Sequence, residues 1–184
     1  MRLMGKIGAI GAAAAAVVLV AGCGSSDSKS DSTSSTAAPF TATVAVPQAD
    51  GHDCAVTIDG GFGTAPKITI PDGCTPPTDL IVKDIVPGSG PGAAAGQPLT
   101  MNYSLVTWSD KKKLDSSFDR GKPFTLTLGA GQVIKGWDQG LVGVQKGARR
   151  VLIVPSNLGY GQGGNGIKPN ETLVFVTDAV QVGS

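Results

Sequence analysis

The chain has 184 residues with 15 basic and 14 acidic side chains, a formal charge of +1, so its charge balance excludes the strongly basic surface of a nucleic-acid binder. Glycine (27) and proline (12) are abundant while aromatics make up only 5%, which suits a turn-rich β or α+β domain and excludes a helical bundle. The single histidine, His52, excludes a histidine-rich metal site, and a Ser-His-Asp relay would have to be built around it alone.

Residues 1–22 have the three parts of a secretory signal: Arg2 and Lys6, an apolar run from Ile7 to Val20, then small residues. The run falls short of the ~20 apolar residues that a membrane span needs. Val20-Ala21-Gly22-Cys23 resembles the bacterial lipobox, which implies that Cys23 is diacylated and becomes the mature N-terminus. Removal of residues 1–22 takes two basic residues with it and leaves the remainder near neutrality. Residues 23–39 then read as a lipidated cysteine followed by a flexible Ser/Thr-rich tether, too poor in apolar side chains to fold.

Residues 40–79 read as an N-terminal extension. Short strands are expected at Thr41–Val46, Ala55–Ile58 and Lys67–Ile70, separated by Gly- and Pro-rich turns. Cys54 and Cys74 are the cysteines left once Cys23 is acylated. An even pair in an exported chain favours a disulfide, with two free thiols as the alternative.

From residue 80 to 184 the pattern is a string of strands with one short helix. Leu80–Val86 is apolar-rich and ends in a Pro-Gly turn. Leu99, Met101, Tyr103 and Leu105 alternate with polar residues, as do Phe124, Leu126 and Leu128, and each set predicts a half-buried strand. Lys111 to Lys113 fit a solvated hairpin tip. Arg149–Val154 stops at Pro155, and Thr172–Val182 is a long final strand. Val133, Ile134, Trp137 and Leu141 recur at helical spacing. Residues 159–164 formally match G-x-G-x-x-G but lack the βαβ context of dinucleotide binding.

Several of these segments, in order, resemble the FKBP-type peptidyl-prolyl cis-trans isomerases. They are Lys113 to Phe124, Gly131 to Leu141, Gly147 to Pro155, Leu158 to Gly161 and Ile167 to Phe175, covering about residues 80–182. The resemblance implies an α+β fold: an antiparallel twisted β-sheet wrapped around one short α-helix, here with a disulfide-tied β extension. It implies a pocket formed by Tyr103, Asp115, Phe124, Val133, Ile134, Trp137, Tyr160 and Phe175, with Leu114, Arg120, Gln132 and Ile167 contributing to substrate binding. Trp137 would be its floor, Arg120 would pair with Asp115 and the Tyr103 hydroxyl, and the Ile134 amide and Tyr160 hydroxyl would hold the substrate backbone. Leu114 stands where the family usually has Phe, and Gln132 where it usually has Glu. The loop Gln162–Gly166 is short and Gly-rich.

Such a pocket turns over X-Pro bonds without nucleophile, metal or cofactor, since only amide resonance, a barrier of ~18–20 kcal/mol, has to be overcome. The expected partners are proline-containing polypeptides, a membrane reached through the lipid anchor, and macrolides of the rapamycin or tacrolimus type, with no nucleic acid. The expected enzyme is a monomer that assists folding of exported proteins at the outer face of the cytoplasmic membrane. The alternative is a non-catalytic peptide-binding chaperone or adaptor that uses the same groove.

Overall fold

The computed structural model describes residues 39–184. The signal segment, Cys23 and nearly all of the tether lie outside the described residues.

The main sheet is antiparallel and is built from β4 (Ile81–Val86), β5 (Pro98–Thr107), β6 (Lys113–Ser116), β7 (Phe124–Thr127), β8 (Arg149–Val154) and β9 (Leu173–Val182). Its order is β4-β8-β9-β5-β6, and β7 also pairs with β5. The long strand β5 holds β7 along Pro98–Met101 and β6 along Ser104–Val106, so two short strands share one edge. Between them the chain makes a single helical turn, α1 (Ser117–Arg120), which ends at Gly121 in the left-handed region (φ 62°). One turn is too short to leave a periodic signal in the sequence.

Helix α2 (Lys135–Gly140) lies across the sheet. It is shorter than the spacing of Val133, Ile134, Trp137 and Leu141 suggests, because Ile134 is extended (φ −60°, ψ 151°) and only introduces the helix. Two glycines bring α2 down onto β8: a Cβ on Gly136 would meet Val154 Cγ1 at 2.4 Å, and one on Gly140 would meet Leu152 Cδ2 at 2.7 Å. From β8, the Arg150 guanidinium donates to the Gly140 and Val142 carbonyls, both at 2.9 Å, and pairs with Asp84 at 2.6 Å. The last turn of α2 is thereby tied to the sheet.

Strand alternation sorts the core into two layers. Leu152, Val154, Leu173 and Phe175 face α2, together with Met101, Leu105 and Trp137. Val151, Ile153, Val174 and Val176 face the other way, where they pack with Val106 and Trp108 against Val44, Val56, Ile58 and Ile70. That second layer is covered by a three-stranded sheet of β1 (Thr41–Ala45), β2 (Ala55–Asp59) and β3 (Lys67–Thr69) in that order. A disulfide joins Cys54 to Cys74, with Cα atoms 5.8 Å apart, and so links the start of β2 to the segment after β3. The Trp108 indole N–H donates to the Cys74 carbonyl at 3.2 Å. The extension is therefore one wall of a shared core.

A buried ion pair fastens the same contact. Arg149 is fully buried and donates to Asp178 at 2.6 and 2.8 Å and to the carbonyls of Gly60 and Thr64. Asp178 also accepts the Gly63 N–H at 2.7 Å. At the expected hairpin tip, Lys111 takes a left-handed conformation (φ 55°) and pairs with Asp72, while Lys113 already belongs to β6.

Candidate active site

Register assembles the site. On β5, Met101, Tyr103 and Leu105 point toward α2, and their cross-strand partners carry the other groups: Met101 opposes Phe124 of β7, and Leu105 opposes Asp115 of β6 and Phe175 of β9. Residues directly opposite in a sheet share a face, so three distant segments deliver their side chains to one spot. Helix α2 supplies Trp137 from above. The result is a pocket of about 230 Å³ lined by Tyr103, Leu105, Asp115, Phe124, Gln132, Val133, Ile134, Trp137, Tyr160 and Phe175.

The walls are aromatic rings set edge to face. Trp137 meets Tyr103 at 5.4 Å and 88°, Phe175 at 5.4 Å and 79°, and Phe124 at 6.1 Å and 81°. This arrangement suits the quadrupoles of the rings and locks each against the next. Trp137 is only 4% exposed, and its indole N–H is the one buried side-chain polar atom without a partner among the described residues. Ile134 commits its carbonyl to the Trp137 and Asp138 N–H groups, at 2.9 and 3.2 Å.

The polar side of the pocket is a closed triad. The Tyr103 hydroxyl donates to one Asp115 oxygen and Arg120 to the other, while a second Arg120 nitrogen donates to the Tyr103 oxygen at 2.9 Å. The Ser116 N–H adds a bond to Asp115 at 2.8 Å. Partial burial alone would push the Asp115 carboxyl up, but the Tyr103 and Arg120 hydrogen bonds and the Arg120 charge outweigh it and hold it below the usual range. Burial and the bond to Asp115 push the Tyr103 phenol up. Asp115 is thus an ionised, fully engaged carboxylate and a poor proton acceptor.

Of the expected residues, Tyr103, Asp115, Phe124, Gln132, Val133, Ile134, Trp137, Tyr160 and Phe175 come together on the pocket wall. Leu114, Arg120 and Ile167 are not on it. Leu114 follows the pleat of β6 and packs on the core, and Arg120 stands behind Asp115. Ile167 closes the Gly-rich turn by bridging to Gly164 and tucks into the core at 8% exposure. Leu105 is a wall residue that the sequence reading left out, although its place two residues after Tyr103 on one strand marks it. Gln132 uses its side-chain carbonyl to accept the Thr127 N–H at 2.8 Å, so it braces the segment before α2.

Residues 90–179 match the family described as FKBP-type peptidyl-prolyl cis-trans isomerase. An FK506-binding protein of Streptomyces anulatus is 49% identical over 120 residues, which is 64% of this chain and 96% of that protein. The chain belongs to the FKBP family. An FK506-binding protein of Neisseria meningitidis serogroup B is 44% identical over 106 residues, covering 56% of this chain and 95% of the relative. Among solved structures, AtFKBP13 superposes with a TM-score of 0.53 at 35% identity, over 58% of this chain and 94% of that one. Escherichia coli FkpA gives a TM-score of 0.53 at 33% identity, over 61% of this chain and 53% of its own. The FKBP domain is a peptidyl-prolyl cis-trans isomerase, and the pocket described above gathers nine of the twelve residues expected from the resemblance.

Proposed function

We propose that this FKBP acts outside the cytoplasm, anchored by a lipid on Cys23 to the outer face of the cytoplasmic membrane, and isomerises X-Pro bonds of exported proteins as they fold. The lipobox-like Val20–Cys23 and the polar tract after it support the anchor. The Cys54–Cys74 bridge supports the compartment, because disulfides persist where the surroundings are oxidising.

The observation that carries the catalytic reading is the edge-to-face cage around Trp137. A prolyl ring seated on Trp137 and held by Tyr103, Phe124 and Phe175 leaves the preceding carbonyl free to swing. The twisted amide at the top of the barrier has lost conjugation and is less polar than either planar isomer, so an apolar cage binds it more tightly than the ground state. The Ile134 N–H and Tyr160 hydroxyl restrain the chain beside the ring. Asp115, held ionised by Tyr103 and Arg120, fixes the Tyr103 ring and takes no proton. Macrolides of the FK506 type compete for this cage, as the names of the relatives suggest.

The test combines exchange NMR on a short X-Pro peptide with fractionation of cells that carry the full chain. Acceleration that is lost in Trp137→Ala and blocked by FK506 supports the pocket roles. Membrane association that is lost in Cys23→Ser supports the anchor. A soluble, unlipidated wild-type protein would refute the anchor while leaving the isomerase intact.

A further inference from the structure

Beside the prolyl pocket lies an open recess lined by Arg120, Lys122, Pro123, Phe124 and Thr125. Phe124 lines both, so one phenyl ring is the partition between them. With consecutive Cα atoms ~3.8 Å apart, a chain whose proline is caged clears that ring within two or three residues.

The charges of the recess are unequal in their commitments. Arg120 is spent on Asp115 and Tyr103. Asp119, the acid nearest in sequence, is paired with Lys113 at 2.6 Å. Asp138 accepts the Gly129 and Gly131 N–H groups at 2.8 and 3.0 Å. Gln132, on the pocket wall, is neutral. Lys122 is different: it is exposed, and among the described residues its ammonium enters no ion pair. Its backbone is held, since its N–H donates to the Ser117 carbonyl at 3.3 Å and Pro123 follows with a fixed φ. The recess next to the prolyl cage thus carries an uncompensated cation on a held backbone, and a carboxylate is the group that complements it.

We propose that this recess is a subsite for an acidic side chain, Asp or Glu, on the substrate chain close to the isomerised proline, with Lys122 as the residue that selects it. The inference rests on the isomerase reading of the pocket and adds a substrate class to it. Asp115 offsets the charge of Arg120, so the surplus positive charge of the recess is that of Lys122. The attraction is solvent-exposed, so it is modest and screened by salt.

The experiment uses the full chain and a set of proline peptides in which Glu, Gln or Lys is scanned one position at a time through the residues flanking the proline. Affinity is read by NMR titration of the Trp137 indole and Phe124 ring signals, and isomerisation by exchange spectroscopy in the same samples. At one flanking position the Glu peptide should bind roughly two- to fivefold more tightly than the Gln peptide at low salt, with the difference erased at high salt. Lys122→Gln should level the two, and Lys122→Glu should reverse the order in favour of Lys. Equal affinities at every position in the wild-type protein, or an unchanged ranking in Lys122→Glu, would overturn the subsite. Absence of turnover would count against the isomerase reading, and the affinity ranking would still decide the subsite.

Discussion

Gly136 sits so tightly against Val154 that a methyl group on it would lie 2.4 Å from Val154 Cγ1 and 2.9 Å from Cγ2. Helix propensity alone says that Gly→Ala inside a helix gains up to ~1 kcal/mol. Here the contact decides the sign, because Val154 is fully buried and β-branched, with little rotamer freedom. Gly136→Ala should therefore cost about 1–3 kcal/mol of stability, read by urea denaturation. It should also lower kcat/KM, since Trp137 rides on the same turn. Lys135→Ala, on the exposed side of α2, is the control and should move neither.

Arg149 and Asp178 form a buried pair that also holds the 60–64 loop of the extension. Removing one partner strands the other charge in the core. Arg149→Leu should cost about 3–5 kcal/mol, and the double variant Arg149→Leu/Asp178→Leu should be markedly more stable than Arg149→Leu alone. Denaturation of the four proteins of the double-mutant cycle measures it. If both singles proved as mild as an exposed pair, the pair would not be the fastening described above.

Half-buried strands announce themselves by alternation, and Met101, Tyr103 and Leu105 on β5 did so. Val151 to Val154 and Leu173 to Val176 are apolar at every position, the mark of strands covered on both faces. That mark says that the outer face needs a cover but not which segment supplies it. The cover comes from β1–β3, outside the stretch matched by the family, through contacts that join residues 40–70 to residues 106–176. Apart from Tyr103, the expected pocket residues keep their place in a family motif. Tyr103 and Leu105 share one face of β5 by alternation, whereas the one-turn helix α1 shows only once the connection between β6 and β7 is known. Ile167 keeps its place in the motif but turns inward, a choice that the Gly164 bridge makes.

The pH profile separates a conformational mechanism from proton transfer. The folded pKa of Asp115 is depressed, so its contribution to the triad is present above the usual carboxylate range, near 3.9, and is lost only as pH falls through the lower folded value. The folded pKa of Tyr103 is raised, so its hydroxyl stays protonated past its usual value near 10. Between those limits kcat/KM should be flat. Asp115→Asn should lower activity with little change in the profile across the neutral range. A bell with a limb between about pH 5 and 8 would instead indicate a general acid or base.

The Cys54–Cys74 bridge closes a loop of 20 residues around β2 and β3, far in the sequence from the pocket. Loops of this size stabilise by about 3 kcal/mol when closed. Cys54→Ser/Cys74→Ser should lose that amount, with a lower Tm, while kcat/KM at 25 °C stays within about twofold, because none of the pocket wall belongs to the extension. The two tryptophans give separate reports. Trp108 donates to the Cys74 carbonyl and should change its fluorescence and indole NMR signal when the bridge is removed, whereas Trp137, on the opposite side of the sheet, should not. A Trp137 signal that moved together with Trp108 would show that the two layers of the core are coupled, and the activity would then fall with the bridge.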